Sequence, residues 1–161
     1  FFVDHITYYG DKLEQIVGAE RLNRYMPLGS AIREGHFASV HTDNPVTPLG
    51  SLRAVKAAVL RQAHKTGETI GRQEKLSIYD ALKTITINPA WQFFEEDHIG
   101  SIEIGKSADF VILAQNPLII DPQELDQVEI IENWIDGKKV NTSYWTWTNF
   151  KLAIKALLEM I

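Results

Sequence analysis

The chain has 161 residues, 16 Lys+Arg against 21 Asp+Glu for a net charge of -5, and 45% hydrophobic with 23% charged residues. That is room for one domain, or a domain and a half, of a soluble globular protein, and the mildly acidic balance leaves no electrostatic footprint for nucleic acid. No apolar run reaches the roughly 18 residues of a membrane helix, and the absence of Cys excludes disulfides, thiolate zinc sites and Cys nucleophiles.

The chain opens Phe1-Phe2-Val3-Asp4-His5, with no Met, no charged leader and no small-residue cleavage site. It reads as the middle of a strand over residues 1–7, so a longer protein is expected. Cysteine usage leaves the compartment open, and the cytoplasm is the expected one. Residues 11–17 predict a short helix stopped by Gly18, and 19–26 a further turn or two before Pro27. Leu28, Ala31 and Ile32 have helical spacing, with Gly35 as the stop. Phe37-Ala38-Ser39-Val40 is short and apolar, like a buried parallel strand, and runs into His41-Thr42-Asp43-Asn44-Pro45. Pro45, Pro48 and Gly50 stiffen the loop that follows.

Ser51 is a candidate N-cap for a helix over 52–66, with Leu52, Val55, Val59 and Ala63 as its apolar stripe and Arg53, Lys56 and Arg61 elsewhere around it. Residues 67–76 read as a polar linker. Ser77 and Asp80 resemble a capping box, and Asn88-Pro89 predicts a new helix with Asn88 as N-cap. The pattern changes near Gly100. Ile102 and Ile104 alternate with polar residues, 110–113 is an apolar strand, and 128–135 and 138–140 flank Asp136-Gly137, a type I′ hairpin signal. The last residues, 142–161, are aromatic and then helical in pattern.

Candidate chemistry gathers after the 37–40 segment. A strand that delivers His41 and Asp43 at its C-terminal end places them where parallel α/β proteins keep their catalytic residues. Asp43 has two possible uses. It can cap the turn before Pro45, the commoner role for an Asp in a loop, or it can bind a cation and take a proton from water. His5, after the opening segment, is a satisfied core residue or a substrate contact at the same mouth. The sequence contains no His-x-His pair, no Gly-rich phosphate loop and no Gly-x-Ser-x-Gly elbow.

The order of these segments is similar to the C-terminal part of the amidohydrolase superfamily. The residues that carry the resemblance are His41-Thr42-Asp43-Asn44-Pro45-Val46-Thr47-Pro48, Ser77 to Asn88-Pro89-Ala90, the run Gly100-Ser101-Ile102-Glu103-Ile104-Gly105-Lys106-Ser107-Ala108-Asp109, and Asp136-Gly137-Lys138. Within the superfamily the chain resembles the YtcJ-like group, which includes N-substituted formamide deformylases; Tyr8-Tyr9-Gly10-Asp11 and Gly18-Ala19-Glu20-Arg21 fit that group too.

The resemblance implies an α/β fold: residues 1–94 as the last strands and helices of a (β/α)8 barrel, 95–141 as the returning strands of a small composite β-sandwich, and 142–161 as a tail. It implies that Asp43 binds a divalent metal, zinc being the expected one, and activates the hydrolytic water. It implies that His5 faces the pocket of an amide or formamide substrate, and His41, from its place after the 37–40 segment, is a further candidate substrate contact. The remaining ligands of such a site lie upstream, so this chain alone is expected to be inactive and not to retain metal. No nucleic-acid or membrane partner is expected. The apolar surface of a partial barrel predicts a homo-oligomer. The alternatives are a non-catalytic structural module and a small binding protein with the aromatic tail as its contact surface.

Overall fold

A computed structural model describes residues 1–140. Among them are six α-helices: α1 Asp4–Val17, α2 Ala19–Asn23, α3 Leu28–Arg33, α4 Ser51–Leu60, α5 Ile78–Lys83 and α6 Ile87–Gln92. Three strands follow, β1 Phe110–Leu113, β2 Ile130–Ile135 and β3 Lys138–Val140, in one antiparallel sheet of order β1-β2-β3. Two 3-10 turns lie between these elements in sequence, Arg72–Glu74 between α4 and α5 and Pro122–Gln127 between β1 and β2. The result is a mixed α/β chain.

The opening segment is helical from Asp4 onward, not a strand over 1–7. Ile6, Gly10 and Leu13 recur on one helical face and are buried. Gly10 sits where a side chain would collide: a Cβ there would lie 2.5 Å from Ile70 Cδ1 and 3.2 Å from Ala63 Cβ. The helix therefore continues through a residue of poor helix propensity because tertiary packing rewards the close approach. It stops at Gly18, as expected, with φ at 80°.

α4 is the hub. Its Ala54, Val55, Ala57, Ala58 and Val59 are buried, and around them pack Val3, Leu28, Leu76, Ala81 and Leu125. It ends six residues earlier than the 52–66 expectation. Arg61 adopts the left-handed conformation at φ 50° and closes the helix. Arg61 also lies inside rather than on the solvent side. It is fully buried, and its guanidinium donates to the carbonyls of Ile70 at 2.8 Å, Met26 at 3.0 Å and Tyr25 at 2.6 Å. Burial pulls its pKa down to about 10 against the opposing charge of Glu74, so it stays a cation at neutral pH.

Ser77 caps α5 as expected, with only the forward half of the Ser77–Asp80 capping box present. Ser77 Oγ accepts from the Asp80 N–H at 3.0 Å and donates to Asp80 Oδ2 at 2.7 Å. The next helix starts one residue before Asn88, with Thr86 as its N-cap. Asn88 is instead buried and donates to the Ala38 carbonyl at 2.8 Å.

The alternating Ile102 and Ile104 do not form a strand. Both side chains stand in solvent, at 86% and 108% relative exposure. That run is organised by side chains: Lys106 Nζ donates to Ser101 Oγ at 2.6 Å and to Glu103 Oε1 at 3.3 Å, and the Ser107 N–H donates to the His98 carbonyl at 2.8 Å. The hairpin is as expected. Asp136 and Gly137 take φ of 50° and 67°, the two positive values a type I′ turn requires. Phe110 pairs with Trp134 in register and their rings stack at 5.6 Å. Leu125, from the second 3-10 turn, inserts into the α4 core, and Lys56 of α4 bonds Asp126 at 2.8 Å and the Gln123 carbonyl at 2.6 Å. The helical pattern of 142–161 falls outside the described residues.

Candidate active site

Residues 37–40 are extended and begin the site. They do not form a regular strand; one parallel-type pairing stands in its place. The Phe1 backbone nitrogen donates to the Ser39 carbonyl at 2.7 Å and the His41 N–H donates to the Phe1 carbonyl at 3.1 Å, so Phe1 is bracketed as in a parallel ladder. On the other side the Val40 N–H donates to the Thr84 carbonyl at 3.3 Å. This pairing sets Phe2 between the two candidate histidines. Its ring stacks on His5 at 5.1 Å and on His41 at 5.3 Å.

His5 lies in the first turn of α1. Its Nδ1 is 2.5 Å from the Tyr25 hydroxyl, and the Tyr9 ring tilts against it at 4.7 Å. Burial lowers the pKa of His5 and raises that of Tyr25. Both shifts favour the neutral pair, joined by one hydrogen bond between the hydroxyl and Nδ1. His41 is exposed beyond its stack on Phe2.

Asp43 is exposed and takes φ 52°, a left-handed conformation that Asp tolerates better than most residues. Its carbonyl accepts the Val46 N–H at 2.7 Å and so closes the turn through the backbone. Its side chain caps nothing. Pro45 has no N–H to offer, the Val46 N–H is already spent on the backbone, and among the described residues no hydrogen bond or ion pair reaches the carboxylate.

Two residues that sequence reasoning passed over hold this loop. Thr47 is fully buried, and its hydroxyl oxygen lies 2.5 Å from the Thr42 carbonyl oxygen and 3.1 Å from Asp4 Oδ2. Asp4 is also buried, and Arg53 Nη2 approaches the same Oδ2 to 2.9 Å. The Thr47–Thr42 contact is local, but the Thr47–Asp4 contact joins residues 43 positions apart, and no local pattern could have revealed it. A cleft of about 340 Å³ opens between α1 and α4; Asp4, Tyr8, Arg53 and Lys56 line it, whereas Asp43, His5 and His41 do not. Among the described residues no group of three or more His, Asp or Glu side chains converges to hold a metal ion.

Comparison with known proteins gives the family of the chain. Residues 3–141 match the Amidohydrolase family. The YtcJ protein of Bacillus subtilis (strain 168) is 30% identical over 126 residues, 77% of this chain and 24% of its own length. An N-substituted formamide deformylase of Arthrobacter pascens is 27% identical over 114 residues, 71% of this chain and 21% of its own length. Protein LONG AFTER FAR-RED 3 of Arabidopsis thaliana is 32% identical over 138 residues, 85% of this chain and 24% of its own length. The crystal structure of an amidohydrolase from Thermotoga maritima MSB8 superposes with a TM-score of 0.50 at 29% identity, covering 71% of this chain and 25% of that one. The chain belongs to the amidohydrolase family. It spans about a quarter of the length of the curated relatives it matches.

Proposed function

We propose that this chain is the C-terminal part of a longer amidohydrolase that hydrolyses a carbon–nitrogen bond of an amide or formamide. The single observation that carries the reading is the free carboxylate of Asp43. It follows the 37–40 segment with no hydrogen-bond or ion-pair partner among the described residues, and two positions before it His41 shares the Phe2 ring with His5. In the proposed reaction Asp43 takes a proton from the attacking water, a C–O bond forms at the carbonyl carbon, the C–N bond breaks, and the proton passes to the leaving nitrogen. His5, neutral and held by Tyr25, offers its Nε2 to the substrate, and His41 borders the same mouth.

The resemblance to this family implies a divalent metal. Asp43 is one donor where zinc takes about four, so the described residues do not make a metal site by themselves, and its other ligands would come from outside this chain. This chain on its own is accordingly proposed to be inactive. We place residues 1–94 in the barrel of the intact protein and 95–141 in its composite sandwich. We also place the exposed Phe93 and Phe94, at 76% and 86% relative exposure, on a surface covered in a homo-oligomer.

The test is turnover by the full-length protein on a panel of N-substituted formamides and simple amides, before and after chelation and zinc return. Hydrolysis of at least one class is expected. No hydrolysis of any member by a folded, zinc-supplemented protein would remove the reading.

A further inference from the structure

The loop that carries Asp43 is closed twice and anchored once. The Val46 N–H returns to the Asp43 carbonyl, and the Thr47 hydroxyl returns to the Thr42 carbonyl, one residue before Asp43. The same hydroxyl proton is shared with Asp4 Oδ2, in the first turn of α1, and Asp4 pairs with Arg53, in the first turn of α4. Burying a carboxylate and a hydroxyl is costly, and here Asp4 Oδ2 meets Thr47 and Arg53 while Oδ1 has no hydrogen-bond partner among the described residues. Core packing alone would be met as well by an apolar pair. Asp4 also immediately precedes His5, so one buried group stands behind both the loop of Asp43 and the helix turn of His5.

We propose that Thr47 and Asp4 are positioning residues for Asp43. The hydroxyl of Thr47 fixes the carbonyl of Thr42, and with it the left-handed backbone of Asp43, while Asp4 holds Thr47 against the α4 cation. This inference rests on the reading of Asp43 as the catalytic carboxylate. A displacement of about 1 Å at a reacting group can cost about 10²-fold in rate. Removing the hydroxyl therefore lowers the chemical step more than substrate binding.

The experiment is steady-state kinetics on the full-length protein with Thr47→Val, Thr47→Ser and Asp43→Asn, together with melting temperatures. Thr47→Val keeps the shape and deletes the hydroxyl. Its kcat should fall about 10- to 100-fold, as for other partners that orient a site, with KM nearly unchanged. Thr47→Ser should restore most of the loss. Thr47→Val at the unmodified kcat, while Asp43→Asn is inactive, would overturn the positioning role and leave the catalytic reading standing. An active Asp43→Asn would overturn both. Equal losses in Thr47→Val and Thr47→Ser would also overturn it, because the hydroxyl would not be the cause. Should Thr47→Val not fold, Asp4→Asn carries the test: a lower kcat at constant KM is expected, and an unchanged kcat overturns the proposal.

Discussion

The Tyr25 hydroxyl meets Nδ1 of His5 at 2.5 Å and ties the segment before Pro27 to the first turn of α1. Tyr25 is in turn held by its own carbonyl, which accepts from the buried Arg61 at 2.6 Å. A buried cation 36 positions away thus steadies the tyrosine that holds the imidazole.

Burial lowers the pKa of His5. The folded chain therefore binds its proton less readily than the unfolded chain, whose His titrates near 6.5. The stability tied to His5 is complete above that value and declines as pH falls through 6.5 towards the lower folded value. Denaturant unfolding across this range should show a decline that is weaker in His5→Asn. Tyr25→Phe removes the hydroxyl and should cost about 1 kcal/mol at neutral pH. Identical pH profiles for the wild-type and His5→Asn chains would contradict this account.

Leu125 joins the sheet side of the chain to α4. It is fully buried against the Val55 cluster, while β1 and β2 leave Val111, Ile112, Ile130 and Ile131 partly in solvent. Leu125→Ala should destabilise by about 2–5 kcal/mol, the range for deleting a buried Leu side chain. Thermal unfolding would measure it. A change below about 0.5 kcal/mol, typical of surface positions, would mean that the 3-10 turn does not contribute to the helical core.

What could be read from the sequence was what neighbouring residues decide. Asp136-Gly137 dictates its own turn, and Ser77 with Asp80 dictates its own cap. What could not be read depends on distant partners. Helix α1 runs through Gly10 because Ile70 and Ala63 press against it. Arg61 looked like a solvent residue of a longer helix because three carbonyls that bury it lie between 9 and 36 positions away. The regular spacing of Ile102 and Ile104 suggested a strand, yet no neighbour pairs with it, and Ser101, Glu103 and Lys106 tie that run instead.

Glu74 gives a second, separable acid response. Burial pushes its pKa up, but hydrogen bonds from the Ser30 N–H and hydroxyl, both at 2.7 Å, and the charges of Arg33 and Arg61 outweigh it and leave it below the ordinary range. The depressed folded value means that this stability is present above about pH 4.3 and is lost as pH falls through the folded pKa. Glu74→Gln should cost about 1–3 kcal/mol at pH 7, since Ser30 loses charged acceptors in a buried site. It should also flatten acid unfolding below pH 4. An acid limb as steep in Glu74→Gln as in the wild-type chain would place the response elsewhere.

Asp43→Asn separates fold from chemistry. The amide is nearly the same size, the position is exposed, and Asn tolerates φ near 52° as Asp does. The Val46 N–H still finds the backbone carbonyl, because that bond does not use the side chain. Stability should therefore change by less than about 0.5 kcal/mol. The amide cannot take a proton from water, so turnover by the full-length protein should fall by about 10²–10⁴-fold. His5→Ala should behave differently. Its proposed role is a hydrogen bond to substrate, so KM should rise more than kcat falls. Both variants should be assayed on the same formamide or amide, with melting temperatures taken alongside. An Asp43→Asn protein with near-normal turnover would return Asp43 to the status of a loop residue whose left-handed backbone is its whole contribution.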